Sequence, residues 1–337
     1  MAFHLLRAAA YRRMLATLMV GGAVALAPAV ARAQHEELVR LDDRNAISNA
    51  GIYIAIEKGF FREAGIRNEL ISFASAAKTL PALTAGELDV AAGSPSAGLF
   101  NAIAQGAPFR IVADKGTSRG AGTGFSLLVV RRDLAESGQV KTLKDLKGRK
   151  IAVFAKAITQ DYMLGKMAEE EGLTIRDFDL TYLGAPNQLT AFETKAIDAA
   201  VTVEPWGANF IERGLAVRFR TPDQVRGLTP YQVAVIIYSG KFIKERRPVA
   251  QKWMDAYVKG VQVYVDKGLT DPEVLAILEK FTKVPAKALR TAVPHAYTGD
   301  VRPGLESLAD QMTWFVANGF MKEKIPVEKT VDLSFLK

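Results

Sequence analysis

The chain has 337 residues, with 44 Lys and Arg against 36 Asp and Glu, three His and no Cys. Disulfides, thiolate metal ligands and cysteine nucleophiles are therefore excluded, and so few histidines leave little from which to build a zinc site or a serine–histidine hydrolase. Basic residues are scattered rather than striped, so nucleic acid is not an expected partner, and no metal or cofactor is expected either.

The chain opens on "MAFHLLRAAAYRRMLATLMVGGAVALAPAVARA". Arg7, Arg12 and Arg13 precede a short apolar run from Met14 to Ala29, and Ala31-Arg32-Ala33 is a small-x-small cleavage signal. Residues 1–33 are read as a secretory signal peptide, and the mature protein as periplasmic. An uncleaved anchor is the alternative, and Arg12-Arg13 also invites a twin-arginine reading. The leader carries four arginines and no acid, so its removal leaves 40 basic residues (44 − 4) against 36 acidic ones. Roughly 300 mature residues suggest two lobes rather than one core.

After the leader, strand-like and helix-like stretches alternate, which predicts an α/β protein with largely parallel sheets. "ELVRLDD" reads as a strand. "NAGIYIAIEKGFFREAGI" follows as a helix with Ile52, Ile56 and Phe60 on one side, Asn49 or Ser48 as its cap, and Gly59 and Gly65 as stops. "RNELISFA", "LDVAAGS" and "FRIVAD" are the next strands. Between them stand a helix beginning at Ser75 and another, "PSAGLFNAIAQG", with Pro95 in its first turn. "KGTSRGAGTG" reads as a flexible glycine-rich connection. A second α/β series starts at "TLKDLKGRKIAVF", with a helix from Thr159 and then "LTYLG", "NQLTAFETKA", "IDAAVTV", "EPWGANFIERG" and "LAVRF". "YQVAVIIYSG" is a strand that returns to the first lobe, and helices fill 248–267, 271–282 and 303–317. The layout is two α/β lobes joined by crossing segments near 118–130 and 222–235. Several strands run directly into small, polar turns that begin helices, which is where open α/β sheets bind ligands.

Five stretches, in order, resemble one family. "GIYIAIEKGFFREAGI" resembles its opening helix, "LPALTAGELDVAAGS" its second signature, and "VKTLKDLKGRKIAV" its entry to the second lobe. "AIDAAVTVEPWGANFIERG" resembles its "DA-x-x-x-x-eP" segment and "NGFMKEKIPVEKTVDLSFL" its ending. The chain thus resembles the substrate-binding proteins of the nitrate, sulfonate and taurine importers, a group that includes the pyrimidine-precursor binders. The resemblance implies a two-lobe type II periplasmic binding fold, with 34–122 and 230–337 in lobe I and 123–229 in lobe II. It also implies a monomer that closes on its ligand and presents it to an inner-membrane ABC permease with a cytoplasmic ATPase. The fold does not fix the ligand. Enzymes built on these lobes need cysteine or histidine residues missing here, or lack an export signal, so a binding protein rather than an enzyme is expected.

Candidate ligand contacts lie at helix starts, where free N–H groups and the helix dipole favour anionic oxygens. They are Asn49, Ser75, Ser94 and Ser96 in the first lobe, and Thr159, Gln160 and Asp161 in the second. Each has a plain alternative as a helix cap. Trp206, one residue past Glu204-Pro205, and Tyr162 are candidate cleft aromatics, with core packing as the alternative. Tyr53, Trp253 and Trp314 are read as core. Arg44, Lys78, Lys115 and Arg119 could serve an oxyanion, or be solvated surface charge. Asp161 and Glu204 would repel an anion and suit an amine or the N–H edge of a heterocycle, so a sulfonate-class oxyanion and a heterocyclic or aromatic solute both stay open.

Overall fold

The computed structural model describes residues 36–72 and 79–337; the leader, Ser75 and Lys78 lie outside them. The ten strands of the described residues are β1 (Glu37–Asp42), β2 (Ile66–Ile71), β3 (Val90–Gly93), β4 (Arg110–Ser118), β5 (Ser126–Arg131), β6 (Lys150–Val153), β7 (Asp179–Tyr182), β8 (Ala199–Val203), β9 (Ala216–Arg220) and β10 (Tyr231–Tyr238). They form two five-stranded sheets, ordered β2-β1-β3-β10-β4 and β7-β6-β8-β5-β9. In the first, β1 runs parallel to β2 and β3, while β10 runs antiparallel to both β3 and β4. The second repeats the plan: β6 is parallel to β7 and β8, and β5 is antiparallel to β8 and β9. Each sheet thus has one reversed strand next to its edge, β5 following the first passage between the sheets and β10 the second.

Helices cover the sheets, so the central strands are buried on both faces and read as near-continuous apolar runs rather than alternating ones. All eight residues of β10, YQVAVIIY, are buried. The terminal region is helical over Arg247–Lys267, Pro272–Thr282 and Leu305–Ala317, close to the expected limits. Trp253 is fully buried and stacks on Tyr257, with ring centroids 5.5 Å apart; Trp314 packs against Tyr162 and Phe315. Among the described residues, no helix is long and apolar enough to cross a membrane.

The glycine-rich connection is shorter than expected. Lys115 to Ser118 continue β4, and the loop begins only at Arg119. Gly116 explains why a glycine can stand inside a strand: a Cβ there would lie 3.0 Å from the Phe125 ring and 3.2 Å from Ser48 Cβ. The Asp114 carboxylate accepts from Gly116 N at 2.7 Å and Thr117 Oγ1 at 3.1 Å, which ties the irregular end of the strand together. This glycine is therefore demanded by close approach, not by flexibility.

The first helix, Ala50–Glu57, ends where Gly59 takes φ +78°, a left-handed conformation that favours glycine. It crosses the long helix Arg247–Lys267 at a glycine pair. A Cβ on Gly260 would fall 2.0 Å from the Gly51 carbonyl oxygen. The backbones can approach this closely only without side chains. We predict that Gly260→Ala destabilises the protein by about 1–3 kcal/mol despite the higher helix propensity of alanine, because the clash is with backbone that cannot rotate away. The denaturation midpoint in urea measures it; an unchanged or higher midpoint would refute the tight crossing.

Candidate functional site

The carboxyl ends of β1, β3, β6 and β8 run into loops that surround one cleft of about 920 Å³, its open mouth included. Asp42 and Arg44 enter it from the end of β1, and Ser94 and Ser96 from the end of β3. Phe154 and Gln160 come from beyond β6, and Trp206 from beyond β8. Strand β4 contributes Lys115 to the same cleft. Most of the remaining lining is aliphatic or aromatic. Loops at the ends of parallel strands are free of sheet hydrogen bonding on that side, so their side chains can converge on a solute.

The two sheets' loops also touch directly. Ala97 N donates to the Ala157 carbonyl at 2.9 Å, Thr159 N to the Pro95 carbonyl at 3.1 Å, and Ile47 N to the Glu204 carbonyl at 3.1 Å. Trp206 Nε1 donates to the Asn45 carbonyl at 3.2 Å, so the indole is fastened across the cleft. The Arg44 guanidinium lies over the Phe154 ring, 5.7 Å from its centroid.

The charged groups form a compact set. Arg44 donates from Nε to Asp42 Oδ2 at 2.8 Å, and its Nη2 lies 2.7 Å from the same oxygen and 2.6 Å from Thr79 Oγ1. Asp42 is fully buried, and that burial pushes its carboxyl up to about 6 against the opposing pull of Arg44. Lys115 is 1% exposed; its ammonium donates to the Ala92 carbonyl at 3.0 Å. Burial pulls its amine down to about 7, opposed by the nearby charges of Asp43 and Asp42.

Of the expected contacts, Arg44, Ser94, Ser96, Lys115, Gln160 and Trp206 line the cleft together. Ser96 also caps its helix, its Oγ accepting from Leu99 N at 3.0 Å. The others are placed elsewhere. Asn49 is buried, and its Nδ2 donates to Asp43 Oδ1 at 2.7 Å and Tyr53 Oη at 3.0 Å; Tyr53 Oη bonds the same carboxylate. This triad braces the loop after β1 from behind. Thr159 Oγ1 meets Tyr231 Oη at 2.8 Å, which stitches its helix to β10. Tyr162 is a core residue, bonded to Asp310 and packed between Tyr231 and Trp314. Arg119 is exposed beside a smaller recess and donates to the Tyr297 carbonyl at 3.3 Å. Ser75 and Lys78 fall outside the described residues.

The two suspected cleft carboxylates are turned to backbone. Asp161 Oδ2 accepts from Ile158 N at 3.1 Å, three residues back, as a helix-start brace. Glu204 accepts from Ala208 N at 2.8 Å and Val293 N at 3.2 Å, with Arg218 at 3.4 Å. Burial raises both carboxyls to about 7. The acid in the cleft is instead Asp42. Sequence reasoning passed over it because the last residue of a strand carries no motif, and it read Lys115 as a loop residue. Nothing local marked Lys115 as part of the strand, since Asp114-Lys115-Gly116-Thr117-Ser118 is a polar, glycine-containing stretch that reads as a turn.

Because Asp161 holds its proton to about pH 7 in the folded state and to a far lower pH unfolded, folding favours the protonated form. Its contribution to stability therefore grows as pH falls through 7 and shrinks as pH rises. Asp161→Asn keeps an acceptor for Ile158 N without a titrating group. The variant's melting temperature relative to wild type should rise between pH 5 and pH 8. A pH-independent difference would show that Asp161 is already charged at pH 5.

Comparison with known proteins places the site in context. The chain is 25% identical over 208 residues to a protein inferred to bind aliphatic sulfonates from Escherichia coli (strain K12), an alignment covering 59% of this chain and 61% of that relative's length. The chain thus spans less than two thirds of the curated relative. The alkanesulfonate-binding protein SsuA of Xanthomonas axonopodis pv. citri, solved bound to MOPS, superposes with a TM-score of 0.71 at 19% identity, covering 88% of this chain and 99% of that one. The periplasmic nitrate-binding protein NrtA of Synechocystis PCC 6803 superposes at 0.69 with 14% identity, covering 89% and 87%. The desulfurization enzyme DSZB superposes at 0.63 with 15% identity, covering 89% and 97%. These likenesses establish a periplasmic binding protein fold of two mixed α/β sheets. The NMT1/THI5-like family description matches residues 46–268, and the chain belongs to that family.

Proposed function

We propose that this chain is the solute-binding component of an ABC importer and captures a small organic anion of the sulfonate class in the cleft between its sheets. The observation that carries the reading is the pair of cations, Arg44 and Lys115, brought to a largely apolar cleft that holds one carboxylate, Asp42, already bonded to Arg44. With the ammonium charged, the cleft has a surplus of one positive charge for an oxyanion, and its aliphatic and aromatic walls suit a carbon skeleton. The names of the E. coli relative and of SsuA support the same class. A heterocyclic solute is the weaker reading, since its proposed polar partners, Asp161 and Glu204, face backbone N–H groups. Its remaining support is the aromatic trio Trp206, Phe154 and Phe125 along the walls.

DSZB shows that this fold also hosts catalysis, so the fold alone decides nothing about chemistry. Binding is favoured here because, among the described residues, no histidine lines the cleft and the chain has no cysteine. The working cycle follows from this. The protein is exported to the periplasm by the leader of residues 1–33 and acts as a monomer. Lobe I (34–122 and 230–337) and lobe II (123–229) close on the solute, and an inner-membrane permease with a cytoplasmic ATPase receives the closed form. Contacts such as Trp206 to Asn45 exist only when the lobes meet, so the solute shifts the population by adding contacts that need both walls.

Binding should be linked to protons. An anion beside Lys115 stabilises the ammonium over the amine, so above pH 7 each binding event draws in a proton. Affinity for an alkanesulfonate is therefore expected to fall as pH rises from 7 to 9 in wild type. In Lys115→Met, binding should be weakened by roughly tenfold or more and the pH dependence in this range lost. Isothermal titration calorimetry with ethanesulfonate and its longer homologues, on refolded ligand-free protein, reads both effects. Absence of binding by any sulfonate or carboxylate at millimolar concentration would overturn the anion reading.

A further inference from the structure

The two halves of the fold are joined differently on the two sides of the cleft. On one side the helix Thr159–Glu170, from the second half, is fastened to the first half at its start, middle and end. Thr159 N donates to the Pro95 carbonyl at 3.1 Å, and Thr159 Oγ1 meets Tyr231 Oη at 2.8 Å. Midway, Tyr162 bonds Asp310, and the Trp314 indole covers Gly165 so closely that a Cβ there would lie 2.1 Å from the ring. Near the end, Glu169 accepts from Trp314 Nε1 at 2.8 Å. Tyr162, Met163 and Met167 of this helix share one continuous apolar core with Leu308, Met312 and Phe315 of the helix Leu305–Ala317. The opposite face of the second sheet has a separate core, built on Leu127, Val129, Phe192 and Phe210, and Trp206 packs on that one.

On Trp206's side the contacts between the halves are polar. Ile47 N donates to the Glu204 carbonyl at 3.1 Å, and Trp206 Nε1 to the Asn45 carbonyl at 3.2 Å. The fully buried Glu204 carboxylate divides its oxygens between the halves. Its Oε2 accepts from Ala208 N at 2.8 Å, in the helix that carries Trp206, and its Oε1 from Val293 N at 3.2 Å, in the first half. Arg218 bridges the same two partners, its Nη2 lying 3.4 Å from Glu204 Oε1 and donating to the Thr291 carbonyl at 3.4 Å. Lys287 of the first half pairs with Glu212 of the second beside them.

We propose that the halves open from this polar side only: the helix seam at Gly165 and Trp314 stays shut, and Glu204 is the latch that holds Trp206 over the cleft in the closed form. The claim rests on the two-lobe closure proposed above and not on the identity of the solute. Parting the seam would expose apolar side chains and the face of an indole to water, whereas polar groups on the other side exchange one partner for another at small net cost. The passages between the sheets supply the freedom to turn, and the seam decides its direction. Gln160, at the start of the fixed helix, then keeps its place against the first half, and Trp206 swings through the larger arc. Glu204 lies outside the cleft lining, so it acts as a positioning residue whose effect reaches the solute through Trp206.

The chain has no cysteine, so pairs of spin labels can be introduced without removing any. Arg290→Cys with Arg213→Cys places one pair across the latch side, and Thr313→Cys with Arg176→Cys places another across the seam; all four sites are exposed. Double electron–electron resonance on refolded, solute-free protein reads both distances. The seam pair is expected to give one narrow distance in every sample. Across the latch side, Glu204→Gln should lengthen the mean distance, with the open-to-closed ratio raised roughly tenfold over the parent pair. Arg218→Met, at an exposed site, removes the outer grip alone and should shift the distance in the same direction by less. It decides the matter if circular dichroism shows that Glu204→Gln does not fold. Lengthening of both pairs together would reveal a symmetric hinge and overturn the proposal, and so would a latch-side distance that neither variant changes. Ethanesulfonate at millimolar concentration separates this from the anion reading. If the variants open the latch side and the sulfonate does not close it, the latch stands and the anion reading fails.

Discussion

A lysine ammonium can be buried only where something offsets its lost hydration, and the cleft is organised around that constraint. Lys115 lies in β4, whose partner β10 is buried along its whole length, and its Nζ finds one carbonyl, Ala92 of β3. The rest of the compensation is electrostatic. Asp42 and Asp43 stand at the end of β1, near enough to oppose the pull of burial on the amine. Asp42 in turn is held by Arg44, and Asp43 by Asn49 and Tyr53. Removing any one of these leaves a buried charge short of a partner, which is why the loop after β1 is braced both from the cleft and from behind.

That bracing reaches the helices. Asn49 and Tyr53 belong to the opening of the first helix, and this helix can sit where it does only because Gly51 and Gly260 let its backbone touch the long helix behind it. A steric fact some distance from the cleft thus sets the position of Asp43, and through it the electrostatic surroundings of Lys115. On the opposite side, Asp161 and Glu204 perform a comparable service for the second sheet's loops. They satisfy backbone donors at the starts of the helices that carry Gln160 and Trp206. Carboxylates near a cleft are not all there for the solute; here Asp43, Asp161 and Glu204 hold up its walls.

The shared strand order of the two sheets explains how one cleft can draw on both. In each, the strand that arrives from the other half is inserted antiparallel beside the third strand of a parallel set. The parallel strands of each sheet end in the loops that line the cleft, and the reversed strands β5 and β10 follow the passages between the halves. The closure proposed above would turn on those passages while each sheet keeps its own pairing.

Much of this could be read in the chain itself. Alternating apolar and amphipathic stretches, glycine stops and helix-start residues are local properties of backbone and side chain, so the elements near 50–57, 247–267 and 305–317 and the position of the cleft at strand ends followed directly from the sequence. Arg44, Ser94, Ser96, Gln160 and Trp206 were legible for the same reason, since they stand at strand-to-helix turns. What the sequence by itself could not settle was the direction in which a turn residue points. Asn49, Thr159, Asp161 and Glu204 have the same chemistry and the same local setting as the residues in the cleft, yet each is claimed by a partner distant in sequence or by its own helix start. Lys115 and Asp42 show the converse: an ordinary lysine and a strand-end aspartate acquire their roles only when β1, β3 and β4 are laid side by side and water is excluded. Periodicity is written residue by residue along the chain, whereas burial, hydrogen-bond competition and the sharing of charge are properties of neighbours that only folding brings together.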